Sequence, residues 1–170
     1  ARVIDCLHSK KPEENLESKK ILLEVSNIKD NGLINLDENY YIDESDYKKW
    51  TSKIELQEDD LVLTNAGRVG AVAKIPEGCK FAAGRNMTAI RIKKEWQTKG
   101  ISSSYLLNYF LSDFMKNEIY LNTDMSTVLD ALNVKGIKKL KVLIPKDKKL
   151  KLYNEISIPM RSLIELKNKH

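Results

Sequence analysis

Between Leu63 and Pro76 the chain reads LTNAGRVGAVAKIP, an arginine held between two glycines in a bend that joins two apolar runs. Such a bend could cradle a phosphate, turn a hairpin with a solvated arginine, or push Arg68 towards a base. Arginine and asparagine carry the paired donors and acceptors that fit guanine and adenine edges, whereas lysines and hydroxyls suit phosphates. Those residue types recur around the bend. Thr64, Asn65 and Arg68 share it, Arg85 and Asn86 open the next strand, and Lys10 and Lys11 stand in the first loop near His8 and Ser9. Singly, each reads as surface decoration. Repeated from loop to loop, the seven form a candidate nucleic-acid-contacting set.

Other chemistry is poorly supported. There is no G-x-x-x-x-G-K-[ST] loop, no G-x-G-x-x-G and no G-x-S-x-G elbow. Of the two histidines, His170 is terminal, so a catalytic triad would have to use His8. Glu17-Ser18-Lys19 fits an E-x-K nuclease fragment, but a chain this charged produces that by chance. Cys6, His8 and Cys79 could in principle hold zinc, yet their spacing matches no common metal motif and a buried thiol pair is the simpler expectation. The G-x-x-G of the bend also suits an RNA-clamping loop between two helices, but both flanks here are β-rich. No catalytic residue, metal or cofactor is expected.

The elements that must position these residues can be read coarsely. ILLEVSNI is a strand, KDNG a turn, LINLDENYYID a second strand pair and ESDYKKW a short helix starting near Glu44 or Ser45. KIEL and DLVLT are strands leading into the bend, AVAKI leads out of it, and Pro76 and Gly78 close that unit. From Met87 the pattern alternates, with Met87, Ala89 and Arg91 on one face and Thr88, Ile90 and Ile92 on the other. SSSYLLNYFLSDFMKNEIY is expected as one helix, with Leu107, Phe110, Leu111 and Phe114 at helical spacing after a serine cap. NVKGIKKL is a short helical piece, and LKVLIP a last strand stopped by Pro145. In the tail, Tyr153, Ile156, Met160 and Leu163 repeat at the spacing of a coiled-coil seam, with a kink or restart expected at Pro159. The expectation is an α/β (α+β) globule over residues 1–145, a mixed twisted sheet with packed helices. A helical spacer or dimerisation segment over 146–170 follows it.

Composition sets the outer bounds. With 42% hydrophobic and 31% charged residues, the 170-residue chain lies outside the disordered range and suits one domain plus a projecting element. A net charge of +5 and a pI near 9.0 favour a polyanionic partner. No apolar run approaches the roughly 20 residues that span a bilayer. The ARVIDCLHSKK start lacks a signal-peptide core, and two cysteines give no disulfide framework; a cytoplasmic protein is expected.

The chain resembles the target-recognition domain of specificity subunits of type I restriction–modification systems. The resemblance rests on the order and spacing of DCLHSKKP, YYIDESDYKKW, DLVLTNAGRVGAVAKIP with GRNMTAIRI, YLLNYFLSDFM, the Ser126–Thr127 step, LNVKGIKKLKVLIP and KLYNEISIPMRSLIEL. It implies a non-catalytic module that reads one half of a split site in double-stranded DNA. In that family a separate methyltransferase subunit modifies adenine with S-adenosylmethionine, and a motor-nuclease restriction subunit can join. The family's long helix packs on a partner helix, which for this chain implies a homodimer or pairing with a second recognition domain. Two departures stand out. A full specificity subunit carries two such domains, and the strand exit here reads IPKDKKLKLYNEI in place of a proline-rich, glutamine-containing turn. The alternative is a protein-interaction adaptor that uses its seam helix and carries its positive charge incidentally.

Overall fold

The computed structural model describes residues 1–125 and 130–168; the Ser126–Thr127 step and His170 lie outside the described residues. Among them, eight strands run in chain order: β1 (Arg2–Asp5), β2 (Lys20–Leu23), β3 (Tyr40–Ile42), β4 (Leu56–Gln57), β5 (Leu61–Thr64), β6 (Val72–Lys74), β7 (Lys80–Ala83) and β8 (Met87–Arg91). The helices are α1 (Glu44–Trp50), α2 (Lys94–Gln97), α3 (Ser103–Phe110), α4 (Asp113–Asn122), α5 (Val134–Lys139) and α6 (Asp147–Asn168). The class is mixed α and β, as the sequence indicates. The strands divide into two four-stranded sheets where one was expected. The first, ordered β1-β8-β5-β6, is antiparallel throughout; the second, ordered β3-β2-β7-β4, contains the parallel pair β2 and β7.

Alternation explains the layering. Val62, Ala73, Met87 and Ala89 of the first sheet meet Leu23, Leu56, Phe81 and Ala83 of the second in one core. On the first sheet's other face, Leu61, Leu63, Val72 and Ile90 pack under Leu107, Phe110, Met115, Ile119 and Leu150 of the helices. The far face of the second sheet holds Leu22, Ile42 and Ala82 against Tyr47 and Trp50 of α1. Both faces of the first sheet are therefore covered, which is why DLVLT reads as a continuous apolar run. Each fully buried Leu or Ile contributes about 1.5–3 kcal/mol before conformational entropy is charged.

Several expectations are corrected. ILLEVSNI stops as a strand at Leu23 and turns into a 3₁₀ helix over Val25–Asn27. The cause is Asn27, which is buried and bonds the Glu24 amide at 2.8 Å and the carbonyls of Asn35 and Glu38 at 3.1 and 2.9 Å. LINLDENYYID yields only β3, its first half reduced to an isolated Ile28–Ile34 bridge. The LKVLIP segment pairs with no strand; the Tyr105 hydroxyl donates to the Leu143 carbonyl there. Strands β1 and β7 were not foreseen.

The expected single helix after Ser102 breaks into α3 and α4 at Leu111–Ser112. Ser112 caps α4, its Oγ accepting from the Met115 amide at 3.3 Å while donating to the Tyr109 carbonyl at 2.6 Å. Ser112→Ala should therefore cost about 1 kcal/mol in urea unfolding, with an unchanged m-value. Pro159 lies inside a continuous α6. It removes the amide that would bond the Glu155 carbonyl, but both residues are exposed, where water can satisfy that oxygen.

Candidate nucleic-acid interface

Strand register gathers the candidate loops. Asp5 pairs with Thr88 and Thr64 with Met87, so β1 ends, β5 ends and β8 begins at one end of the first sheet. The Cys6 amide donates to the Met87 carbonyl at 3.1 Å and the Asn65 amide to the Asn86 carbonyl at 2.8 Å. The loops carrying Lys10 and Lys11, the NAGRVG bend and the Arg85–Asn86 turn are thus rooted side by side, although they lie far apart along the chain.

The bend itself is a closed hairpin loop. Gly70 donates to the Thr64 carbonyl and Thr64 to the Ala71 carbonyl, each at 2.8 Å. The Thr64 Oγ1 accepts from the Ala71 amide at 3.0 Å and donates to the Arg68 carbonyl. Gly67 and Gly70 have φ of 77° and 86°, a backbone that side chains disfavour, which accounts for the two glycines around the arginine. Thr64 is fully buried and Asn65 nearly so, with the Asn65 Nδ2 on the Thr88 hydroxyl at 3.3 Å. Burial corrects the expectation for this pair: Thr64 closes the loop with no exposed surface, and Asn65, 8% exposed, is turned to β8.

The remaining five stay at the surface. Arg68 turns back, Nη1 donating to the Ile28 carbonyl and Nη2 to Asp30. Lys11 pairs with Glu24 at 2.7 Å and lies over the Tyr40 ring at 3.5 Å. Arg85 is exposed and makes no hydrogen bond or ion pair among the described residues. Lys10 is exposed, and Asn86 is half-buried with φ 62°. Lys11, Arg85 and Asn86 line one cavity of about 240 Å³ with Glu24, Ser26 and Trp50. A methyl at Gly84 would overlap the Leu23 carbonyl, so the turn that presents Arg85 is pinned against β2. Glu24 and Asp30, from the β2–β3 connection, and Tyr40, the first residue of β3, are the partners of these cations and were missed by sequence reasoning because they come from elsewhere in the chain.

Burial pushes the Cys6 thiol up to about 12, which leaves it protonated and inert at neutral pH. His8 lies 3.0 Å from Asp5, both exposed. Among the described residues no group of three or more His, Cys, Asp or Glu could hold a metal, and neither cysteine is in a disulfide. The expected buried thiol pair is half right: Cys6 is buried and Cys79 only partly so. No helix among the described residues is long and apolar enough to cross a membrane.

Helix α6 does not project freely. Leu150, Arg161 and Glu165 are its buried residues, and they lie against the globule. Of the expected seam, Tyr153 is half-buried, edge-on to Tyr105 at 5.4 Å between ring centroids. Ile156, Met160 and Leu163 are 64%, 57% and 61% exposed.

No family model matches the chain, and no curated protein does. Among solved structures it is similar to the crystal structure of the HsdS subunit from Thermoanaerobacter tengcongensis, with a TM-score of 0.46 and 10% identity. That similarity covers 99% of this chain and 39% of the subunit, so the chain spans about two fifths of that protein's length.

Proposed function

We propose that this chain is a non-catalytic, sequence-specific DNA recognition module that directs a restriction–modification complex to one half of a bipartite site. One observation supports the reading: strand register roots the three loops that carry Lys10, Lys11, Arg68, Arg85 and Asn86 at one end of the first sheet, where Lys11, Arg85 and Asn86 line one cavity. Exposed Lys10 and Arg85 suit phosphates, which position a protein on the duplex, and the forked guanidinium of Arg68 suits a base edge. The methyltransferase and restriction subunits are the partners in this reading, and α6 meets a second recognition domain.

Binding to a random-sequence duplex at two salt concentrations tests it. Lys10→Ala and Arg85→Ala should each weaken all sequences alike and flatten the salt slope by about one unit. Incubation with DNA, magnesium and S-adenosylmethionine should yield neither cleavage nor methyl transfer. The exposed apolar residues of α6 favour a second reading, a protein-interaction adaptor. Duplex binding too weak to measure at low salt, with α6-dependent capture of a helical partner, would decide for the adaptor. Comparing methylated motifs in cells with and without the gene then gives the recognised sequence.

A further inference from the structure

We propose that Asp30 sets what Arg68 can read, screening it from phosphates and presenting it to a guanine edge in the major groove. This deepens the DNA-recognition reading and rests on it. Arg68 spends one N–H on the Ile28 carbonyl and one on the Asp30 carboxylate. A guanidinium has five N–H donors, so three remain. The Arg68 side chain is 39% exposed and that of Asp30 95%, so a partner arriving at the arginine also meets the carboxylate.

That arrangement discriminates by charge. A phosphate oxygen approaching Arg68 is opposed by the Asp30 charge, whereas the neutral N7 and O6 acceptors of guanine are not. The two existing bonds also fix the planar fork in advance, which lowers the ordering cost of a bidentate contact. Lys10 and Arg85 show the contrasting case, exposed cations with no carboxylate partner among the described residues.

The brace stands on an anchored backbone. The turn closes through Gly32 to Lys29 at 3.1 Å and Lys29 to Leu33 at 2.9 Å. Strand β6 holds it through the Lys74 amide on the Gly32 carbonyl at 3.3 Å, and α6 holds it through Arg161 on the Asn31 carbonyl at 3.1 Å and on that of Gly32. Asp30 is thereby tied to the sheet that carries the bend and is not a passing surface contact. Its side chain packs against nothing else described, so replacing it leaves the core intact.

The test compares the full chain with Asp30→Asn, Arg68→Ala and the double variant. Each is bound to a random-sequence duplex pool and to the duplex that wild-type protein selects from that pool. Asp30→Asn should tighten binding to the random pool, steepen the salt slope by about one unit and reduce the preference for the selected duplex about tenfold. In the Arg68→Ala background the same substitution should leave the preference for the selected duplex unchanged. Replacing guanines of the selected duplex by 7-deazaguanine, which lacks N7, should weaken wild-type binding at one position and leave Arg68→Ala indifferent there. Equal weakening of both duplexes by Asp30→Asn, a loss of preference that persists without Arg68, or indifference of wild-type protein to every 7-deazaguanine overturns the inference. A wild-type chain that selects no sequence overturns the DNA-recognition reading itself, and the inference falls with it.

Discussion

Glu165→Leu should release the last turns of α6 at a cost of about 3 kcal/mol while leaving the sheets intact. Glu165 accepts from Arg161 Nε at 2.9 Å and pairs with Lys74 at 3.0 Å, and the three side chains are only 7–8% exposed. Removing the carboxylate leaves two buried cations facing each other. The expected cost is the low end of the usual range because each keeps some compensation, Lys74 the Asp59 carboxylate at 3.4 Å and Arg161 two backbone carbonyls. The strain has a local escape: if the helix end lifts, both cations reach water and the core is untouched. Amide exchange should therefore accelerate about a hundredfold over the turns after Met160 and stay unchanged in β5 and β8. Unchanged exchange near Arg161 would show that the clamp does not hold the helix.

That clamp also shows where sequence reading runs out. The apolar stripe of the tail was legible because hydrophobic spacing reports it, and it suggested a helix reaching outward. Beyond Leu150 and Tyr153, the face that docks is built from Arg161, Glu165 and Asn168, the last bonding the Ile34 carbonyl at 2.7 Å and Lys29 at 2.9 Å. Hydrophobic periodicity carries no signal for a polar docking face. The same limit applied at the bend. The hairpin from DLVLT to AVAK was readable from its apolar runs and glycines, and so was α1. Thr64 and Asn65 looked like contact residues because polar side chains in a loop ordinarily face water. They are buried because the loop folds back on its own threonine and on Thr88 of β8. Nothing local announces that Arg68 would find Ile28 and Asp30, some 40 residues earlier. Strands β1 and β7 escaped notice because RVID and KFAA are short and begin or end on charged residues, without the apolar run that marks the equally short β5.

The proposed pairing of α6 with another helix predicts that Met160→Glu with Leu163→Glu abolishes association without weakening the folded chain. Leu152, Ile156, Met160 and Leu163 are all more than half exposed and follow one another at helical spacing, on a different face from Leu150, Arg161 and Glu165. Leu152 thus replaces Tyr153, which the sequence placed in the seam but which packs on Tyr105. Because the substituted positions already meet water, two carboxylates there should shift monomer stability by no more than about 0.5 kcal/mol. Buried against the matching stripe of an antiparallel helix, the same two charges would lack partners, and association should weaken at least a hundredfold, about 3 kcal/mol. Sedimentation across a concentration series separates the two effects, with thermal unfolding as the check on the monomer. Such pairing would fix the distance between two recognition modules, and hence the spacing between the two halves of the DNA site. A wild-type chain that remains monomeric throughout, with a stability that both charges leave unchanged, would mean that the stripe does not pair two copies and that α6 packs only on its own globule, through Leu150, Tyr153 and the Arg161–Glu165 clamp.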